Sequence, residues 1–224
     1  MSLKTELVIF DWDGTLYNSV GQIVASLQHA AEQHELPLSD EAAKSIIGLG
    51  LPEVMQTLFP EAPELHDSIL KVYGDHYIAN STSDAWFEGI SELLHDLKAQ
   101  GLKLAVATGK NRRGLDRVIA KTQSTHLFDV TRAANETRSK PDPLMLQEIL
   151  TVTGVSVEQA VMIGDSSYDL EMAQRLGMPR IGVGYGVHSV EVLQKFQPLT
   201  IAKDVQELHS FLRGYTQLPT VDVA

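Results

Sequence analysis

Short runs of apolar residues recur along this chain, and stretches with helical periodicity separate them. The first run, Leu-Val-Ile-Phe at positions 7–10, is continuous, as expected of a strand that is buried on both faces of a parallel sheet. Similar runs lie at 102–107, 160–164 and 180–183, with a weaker one near 128–131. Helical patterns lie between them, at residues 89–100, 113–123, 143–153 and 168–176. This alternation predicts an α/β fold with a mainly parallel sheet.

One segment lacks this alternation. From the end of the first strand to about residue 85, only helical periodicity is present, interrupted by proline and glycine. We interpret residues 17–85 as a helical cap domain, inserted into an α/β core domain that consists of residues 1–16 and 86–224. The connections at 17–19 and 80–84 are the predicted hinges, because a cap has to open and close over a site on the core.

The formal net charge of −11 disfavours binding to nucleic acids, because their phosphates require a basic protein surface. The same charge repels small anions, so a site for a phosphorylated metabolite has to supply its own cations. No apolar run approaches the roughly 20 residues of a membrane span, and the first residues lack the apolar region of a secretory signal. With no cysteine in the chain, these features favour a cytoplasmic protein without membrane contact, and they make no prediction of its oligomeric state.

Charged and hydroxyl side chains follow the predicted strands, at the edge of the sheet where ligands bind in open α/β folds. Asp11 and Asp13 follow the first strand, Thr108 and Lys110 follow the second with Gly109 between them, and Asp165 and Asp169 follow the fourth. Lys140 lies just before a predicted helix. Unpaired carboxylates at one edge raise each other's pKa, and a divalent cation with oxygen ligands removes that conflict. The residue types therefore favour a Mg2+ site.

The motifs, in this order, resemble those of the haloacid dehalogenase-like (HAD) hydrolase superfamily. Asp-Trp-Asp-Gly-Thr-Leu at 11–16 resembles the first motif, and Thr108 and Lys140 match the second and third. Gly-Asp-Ser-Ser-Tyr-Asp at 164–169 matches the fourth. The resemblance spans nearly the whole chain. It implies a Rossmann-like core with a helical cap of the C1 type, inserted where the helical segment lies.

The resemblance also implies a mechanism. Asp11 would attack phosphorus and form an aspartyl-phosphate, while Asp13 would protonate the leaving group and then deprotonate the hydrolytic water. Mg2+ would be held by the Asp11 side chain, the Asp13 backbone carbonyl and Asp165. Asp169 would lie behind these ligands and orient Lys140 or a metal-bound water.

The same resemblance implies a binding site for the phosphoryl oxygens. The Thr108 hydroxyl, Lys140 and neighbouring backbone N–H groups, including that of Gly109, would bind these oxygens. Many relatives have asparagine at the position of Gly109, and its absence here alters the expected contacts to the substrate. The cations that follow either attract phosphate or form the solvated start of a helix, and both interpretations stay open for Lys110, Arg112 and Arg113.

These features predict a Mg2+-dependent phosphatase that hydrolyses a small phosphate monoester. Asp13 argues against a dehalogenase, which does not keep the second aspartate. The loop at 46–52 carries no charge, which disfavours a β-phosphoglucomutase-like enzyme because that reaction needs basic cap residues for a second phosphate. The loop at 47–51 is similar to that of the phosphoglycolate phosphatase branch, so phosphoglycolate is the first expected substrate. The alternatives are a mutase-like phosphotransferase, a pyrophosphatase and a non-catalytic, phosphate-dependent binding protein.

Overall fold

The computed structural model of the protein describes residues 4–81 and 85–216. At its centre is a six-stranded sheet in which every hydrogen-bonded pair of strands is parallel. The strands are β1 (Leu7–Phe10), β2 (Lys103–Thr108), β3 (Val130–Ala133), β4 (Ala160–Gly164), β5 (Arg180–Val183) and β6 (Ile201–Ala202). Their order across the sheet is β3-β2-β1-β4-β5-β6. The α/β fold predicted from the sequence is confirmed.

Helices cover both faces of this sheet. Those that follow β1 are α1 (Val20–Glu32), α2 (Asp40–Ser45), α3 (Leu51–Leu58), α4 (His66–Asn80) and α5 (Ile90–Ala99). The later ones are α6 (Arg112–Lys121), α7 (Leu144–Thr153), α8 (Ser167–Arg175), α9 (Val190–Gln194) and α10 (Val205–Thr216). In the described ranges, no helix has both the length and the apolar character that a membrane crossing requires.

The alternation of side chains along β1 explains its continuous apolar sequence. Val8 and Phe10 pack into a hydrophobic cluster with residues of α5, α6 and α10 on one face of the sheet. Leu7 and Ile9 point to the other face and pack with residues of α7 and α8. Because both faces are covered, every position of the strand is buried and apolar.

Five elements differ from the sequence-based expectation. Strand β3 begins two residues later than predicted, because Asp129 uses its side chain to accept the N–H of Leu104 (2.8 Å) before regular pairing starts. Pro143 directly precedes α7 instead of occupying its first turn. Strand β6 was not predicted, since its two residues, Ile201 and Ala202, are too few to show a periodicity. Helices α9 and α10 were not predicted either.

The segment after β1 forms four helices, as its periodicity predicts. Helices α1 and α4 pack against each other, and residues of α1 to α4 form a hydrophobic cluster distinct from those beside the sheet. The outgoing and returning connections lie side by side. Asn18 N–H donates to the Ala85 carbonyl (2.9 Å), and Phe87 N–H donates to the Leu16 carbonyl (3.1 Å). Positions 82–84 of the predicted hinge lie outside the described residues, and the division into cap and core domains stays a prediction.

Candidate active site

The carboxyl ends of β1, β2 and β4 meet at one edge of the sheet because these strands are neighbours. Asp11 directly follows β1, and its N–H donates to the carbonyl of Ile163 in β4 (2.9 Å). Thr108 is the last residue of β2, and Asp165 directly follows β4. All three polar side chains are buried. The parallel sheet therefore brings together groups that lie far apart in the chain.

A buried lysine joins two of the carboxylates. Lys140, only 1% exposed, places its Nζ 2.6 Å from Asp11 Oδ1 and 2.6 Å from Asp169 Oδ1. The other oxygen of Asp169 accepts hydrogen bonds from the hydroxyl of Ser166 (2.6 Å) and from its N–H (3.2 Å). Ser166 in turn caps helix α8, so the start of this helix holds Asp169 toward the lysine.

The carboxylate of Asp165 is held by two donors. Thr15 Oγ1 donates to Asp165 Oδ1 (3.0 Å), and the N–H of Val187 donates to Oδ2 (2.8 Å). The bend after β1 passes close to this carboxylate at Gly14, which has φ +82°. A Cβ at Gly14 would lie 2.1 Å from Asp165 Oδ2, so both the backbone angle and the close approach require glycine there.

Burial makes these carboxylates unfavourable as anions. Burial raises the pKa of Asp11 well above its ordinary value, and the charges of Asp169 and Asp165 add to this, although Lys140 opposes them. Burial and the charge of Asp169 raise the pKa of Asp165 to about 7. Burial acts to lower the pKa of Lys140, but its attraction to Asp11 and Asp169 outweighs this and raises the pKa. The site is therefore short of positive charge.

The carboxylate cluster fits a divalent cation. Oxygen atoms of Asp11, Asp165 and Asp169 all lie within 4.8 Å of one another. These three carboxylates share one buried cation, Lys140, so a divalent cation would balance the remaining charge. All the candidate ligands are carboxylate oxygens, which suit Mg2+ better than softer metals. That Asp169 lies behind the ligands and orients Lys140 stays a prediction, because its carboxylate pairs with Lys140 (2.6 Å) and also lies close to those of Asp11 and Asp165.

Asp13 has a different environment from Asp11. Its Oδ1 accepts a hydrogen bond from Ser19 Oγ (2.5 Å) and lies 2.8 Å from Lys110 Nζ. Both members of this ion pair have largely buried side chains, with 10% and 11% of their surface exposed. Burial acts to lower the pKa of Lys110, but the Asp13 carboxylate outweighs this and raises it. Two carboxylates that are neighbours in the sequence thus have separate cationic partners.

A cavity of about 360 Å³ opens over these two carboxylates. Asp11 and Asp13 contribute to its lining at the edge of the sheet. Much of the opposite wall is apolar and comes from α1, α3, α4 and the loop at 46–52, with Ile23, Leu27, Ile47, Leu49, Val54 and Leu70 among its residues. The site is therefore a covered pocket, of a size within the range of about 300–1,000 Å³ that is typical of small-molecule sites.

The family model for haloacid dehalogenase-like hydrolases matches residues 8–183 of this sequence. The chain belongs to this family. A phosphoglycolate phosphatase from Rhodospirillum rubrum is 29% identical in an alignment of 223 positions that covers 94% of this chain and 91% of the relative. The pyrophosphatase PpaX from Halalkalibacterium halodurans is 27% identical in an alignment of 209 positions that covers 92% of this chain and 96% of the relative.

Solved structures agree with the family assignment. A crystal structure described as a predicted phosphatase from Clostridium acetobutylicum superposes with a TM-score of 0.84 at 25% identity, covering 95% of this chain and 100% of that one. The HAD fold expected from the four motifs is confirmed. The similarity to the phosphoglycolate phosphatase branch is likewise confirmed by relatives that carry this name.

The structure assembles most of the predicted HAD motif residues, although their catalytic roles stay predictions. Asp11, Lys140, Asp165 and Asp169 form one buried cluster, as described above. Thr108 is buried beside them at the end of β2. Its hydroxyl accepts a hydrogen bond from the N–H of Lys110 (3.2 Å), and no hydrogen bond from Thr108 to the cluster occurs within the described ranges.

Gly109, which differs from the asparagine of many relatives, lies against the backbone of the loop at 46–52. A Cβ at Gly109 would lie 2.5 Å from the carbonyl oxygen of Leu49 and 2.6 Å from that of Gly48. In the same loop the N–H of Gly50 donates to Ser139 Oγ (2.8 Å), and just before the loop the carbonyl of Ser45 accepts a hydrogen bond from the Tyr168 hydroxyl (2.7 Å). A larger residue at 109 would therefore displace the loop.

We expect Gly109→Ala to lower the free energy of unfolding by about 1–3 kcal/mol, because the new methyl group overlaps backbone atoms that cannot rotate away. Urea denaturation measures this change. The matched control is Gly21→Ala in α1, where a Cβ would meet no atom within 4 Å and helix propensity favours alanine. Equal stability of Gly109→Ala and the wild type would show that the loop does not pack here in solution.

Two polar residues of the site were missed or left open by the sequence analysis. The Ser19 hydroxyl donates a hydrogen bond to Asp13, and this contact depends on the chain folding back after the bend at Gly14. No local sequence pattern predicts it. Lys110 could have been a solvated residue, but its buried ion pair with Asp13 excludes that interpretation. Arg112 instead faces away from the cavity and pairs with Glu136 (2.6 Å).

Proposed function

We propose that this HAD-family protein is a Mg2+-dependent phosphatase that hydrolyses a small phosphate monoester through an aspartyl-phosphate on Asp11. The observation that carries the proposal is the contrast between Asp11 and Asp13. Both line the cavity, but Asp11 belongs to the buried cluster with Lys140, whereas Asp13 pairs with Lys110 and Ser19. Two carboxylates in different environments suit two different chemical roles.

In the first step a carboxylate oxygen of Asp11 forms a bond to phosphorus, and the bond from phosphorus to the ester oxygen breaks. The leaving oxygen takes a proton from Asp13, which acts in its protonated form in this step and becomes the carboxylate that pairs with Lys110. Lys140, next to Asp11, offsets the negative charge that would otherwise keep the anionic phosphoryl group away from an anionic nucleophile. The products of this step are the free alcohol and the aspartyl-phosphate.

In the second step a water oxygen forms a bond to phosphorus and gives its proton to Asp13. The bond between phosphorus and the Asp11 oxygen breaks, which releases inorganic phosphate and restores both aspartates to their starting states. Asp13 is suited to both proton transfers because it lines the cavity and keeps a fixed position through Ser19. The apolar wall opposite limits the access of other water molecules.

The carboxylates of Asp11, Asp165 and Asp169 are the residues that would hold Mg2+ in this site. When bound, the ion supplies positive charge to the phosphoryl oxygens. Thr108 and Lys140 bind the remaining oxygens in this proposal, and the N–H of Gly109 adds a donor from the same turn. The cap formed by residues 17–85 closes over the substrate.

Phosphoglycolate is the proposed first substrate, and two observations support it. The loop at 46–52, which has no charged residue, lies beside the site, and relatives over most of the chain are named phosphoglycolate phosphatases. A relative named a pyrophosphatase supports pyrophosphate as the second candidate. Phosphate release from both compounds, compared at equal concentration, tests this choice by the ratio of their kcat/KM values.

Removal of metal is expected to abolish phosphate release, and added Mg2+ to restore it, when turnover is assayed with and without a chelator. Mg2+ is also expected to raise Tm, because a ligand at 100 times its Kd stabilises the folded state by about 2.7 kcal/mol. Thermal unfolding measures this effect independently of turnover. Asp165→Asn, which removes one candidate ligand, serves as the control and should lose most of the shift in Tm.

The shift in Tm has a predicted pH dependence. Without metal, the pKa of Asp165 in the folded state is raised to about 7 by burial, so its proton contributes stability that is lost as the pH rises through 7. Mg2+ competes with this proton, and the increase in Tm should therefore be larger at pH 8 than at pH 5.5. Equal increases at the two pH values, or an unchanged increase in Asp165→Asn, would contradict binding at this cluster.

A further inference from the structure

In the described ranges, four lysine and arginine side chains line the cavity. Lys71 pairs with Asp75 of the same wall (2.8 Å), and the other three come from the core. Lys110 lies just before helix α6, and Arg113 and Arg117 follow in its first two turns. Residues four apart lie on the same face of a helix, so the two arginines present their side chains to the same region of the cavity. Two of these cations lie over the aromatic ring of Tyr77 in α4, with Lys110 Nζ 5.0 Å and Arg117 Cζ 5.9 Å from the ring centroid.

Arg113 and Arg117 differ from every other arginine of the chain. The sequence contains eight arginines, and all of them lie in the described ranges. Six have a carboxylate or carbonyl oxygen as hydrogen-bond acceptor: Arg112, Arg132, Arg138, Arg175, Arg180 and Arg213. Within residues 4–81 and 85–216, Arg113 and Arg117 form no hydrogen bond or ion pair with an oxygen atom. In a chain of net charge −11, carboxylates are plentiful, and these two guanidinium groups at the cavity are left for another anion.

The position of these cations relates them to the leaving group of the substrate. Lys140 pairs with the proposed nucleophile, since its Nζ lies 2.6 Å from Asp11 Oδ1. Lys110 lies 2.8 Å from Asp13, the residue that protonates the leaving oxygen in the proposed function. The arginines of α6 continue from Lys110 along the cavity wall. A group bound by them is therefore part of the leaving alcohol and not the phosphoryl group that is transferred.

We infer that Arg113 and Arg117, with Lys110, bind a second anionic group on the leaving portion of the substrate. This inference rests on the proposed phosphatase function and narrows its substrate class to phosphate esters with a carboxylate or a second phosphate. The planar guanidinium group binds either anion through paired N–H donors. A cavity of about 360 Å³ leaves room for such a leaving group beyond the transferred phosphoryl. The uncharged loop at 46–52 is no obstacle, because the cations come from the core helix.

Matched pairs of esters test the inference. Each pair consists of a phosphorylated hydroxy acid and an alkyl phosphate of the same length, beginning with phosphoglycolate and ethyl phosphate and extending by one methylene at a time. Pyrophosphate and an alkanediol bisphosphate replace the carboxylate by a phosphate. We expect the wild type to prefer the ester with the second anion by about 10- to 100-fold in kcat/KM at one length of the series, the range that charge-assisted hydrogen bonds provide.

The double variant Arg113→Gln, Arg117→Gln is expected to lose this preference through a higher KM for the anionic ester, with kcat/KM for the alkyl ester within about threefold of the wild type. Arg112→Gln is the matched control, because it removes the same charge from the same helix but its partners are Glu136 and Asp116, away from the cavity. This control should keep the wild-type preference for the second anion.

The outcomes separate this inference from the proposed function. Equal turnover of both esters at every length, or an equal loss on both esters in the arginine double variant, overturns the second-anion site while the phosphatase function stands. No turnover of any ester in the presence of Mg2+ overturns the proposed function itself. A preference that is lost in the double variant and kept in Arg112→Gln supports the inference, and the preferred anion distinguishes a carboxylate from a phosphate.

Discussion

Asp11→Asn is expected to reduce phosphate release by at least about 10^4-fold, because a neutral amide cannot replace the carboxylate that attacks phosphorus. The variant keeps the size and shape of the side chain. Lys140 also keeps one carboxylate partner, Asp169, at 2.6 Å, so the fold should persist. The assay is phosphate release from ethyl phosphate with saturating Mg2+, and mass spectrometry of the quenched wild type should detect a phosphorylated peptide containing Asp11.

The control for this variant is Asp67→Asn, which makes the same chemical change at an exposed position in the first turn of α4. Its activity should match that of the wild type. Thermal unfolding of Asp11→Asn should show a single transition, which separates loss of the nucleophile from loss of the fold. Turnover that survives in a folded Asp11→Asn protein, or a phosphorylated residue elsewhere, would show that Asp11 is not the nucleophile.

Asp13→Asn is expected to lower kcat on ethyl phosphate by about 10^2- to 10^4-fold, the range usual for loss of a general acid–base residue. The loss should be smaller for the formation of the intermediate from p-nitrophenyl phosphate, because a phenolate of low basicity leaves without a proton. Hydrolysis of the aspartyl-phosphate still needs a base, so this intermediate should accumulate. A burst of p-nitrophenol followed by slow turnover measures both effects.

Ser19→Ala is the matched control for Asp13, since it removes a hydrogen-bond donor to the carboxylate and leaves the carboxylate itself. It should reduce kcat far less than Asp13→Asn and should produce no burst. Equal losses in Asp13→Asn on the ethyl and p-nitrophenyl esters, without accumulation of the phosphorylated protein, would contradict a role of Asp13 in proton transfer. The mechanism would then require another acid in the cavity.

The local sequence pattern was sufficient to predict the central architecture and most of the cluster. A continuous apolar run at 7–10 followed by Asp11 places a carboxylate at the end of a buried strand, and the same reasoning applies to Asp165 after 160–164. The carboxyl ends of neighbouring parallel strands lie at one edge of the sheet, so the sequence is enough to predict that these two carboxylates lie close together. Lys140 was predicted as a member of the cluster only from the order of the motifs, because hydrophobic periodicity gives no signal at this position.

The contacts between the helical segment and the core could not be predicted in this way. The sequence offered Gly109 only as a departure from a pattern, and its cause is the approach of the Leu49 carbonyl, 60 positions earlier in the chain, to a turn on the sheet. The separation of the Asp169 carboxylate from those of Asp11 and Asp165 likewise could not be predicted from the sequence. Such distances depend on how two packed units meet, and local propensities carry no information about that.

Helix α6 shows most clearly which features follow from the local sequence and which depend on tertiary contacts. The helical spacing of Leu115, Val118 and Ile119 is enough to predict an amphipathic α6, and these residues are buried beside the sheet. The directions of the arginines depend on tertiary contacts, since Arg112 pairs with Glu136 while Arg113 and Arg117 line the cavity. The apolar face sets the rotation of the helix relative to the sheet, but the cavity exists only because a segment distant in the chain covers the exposed side.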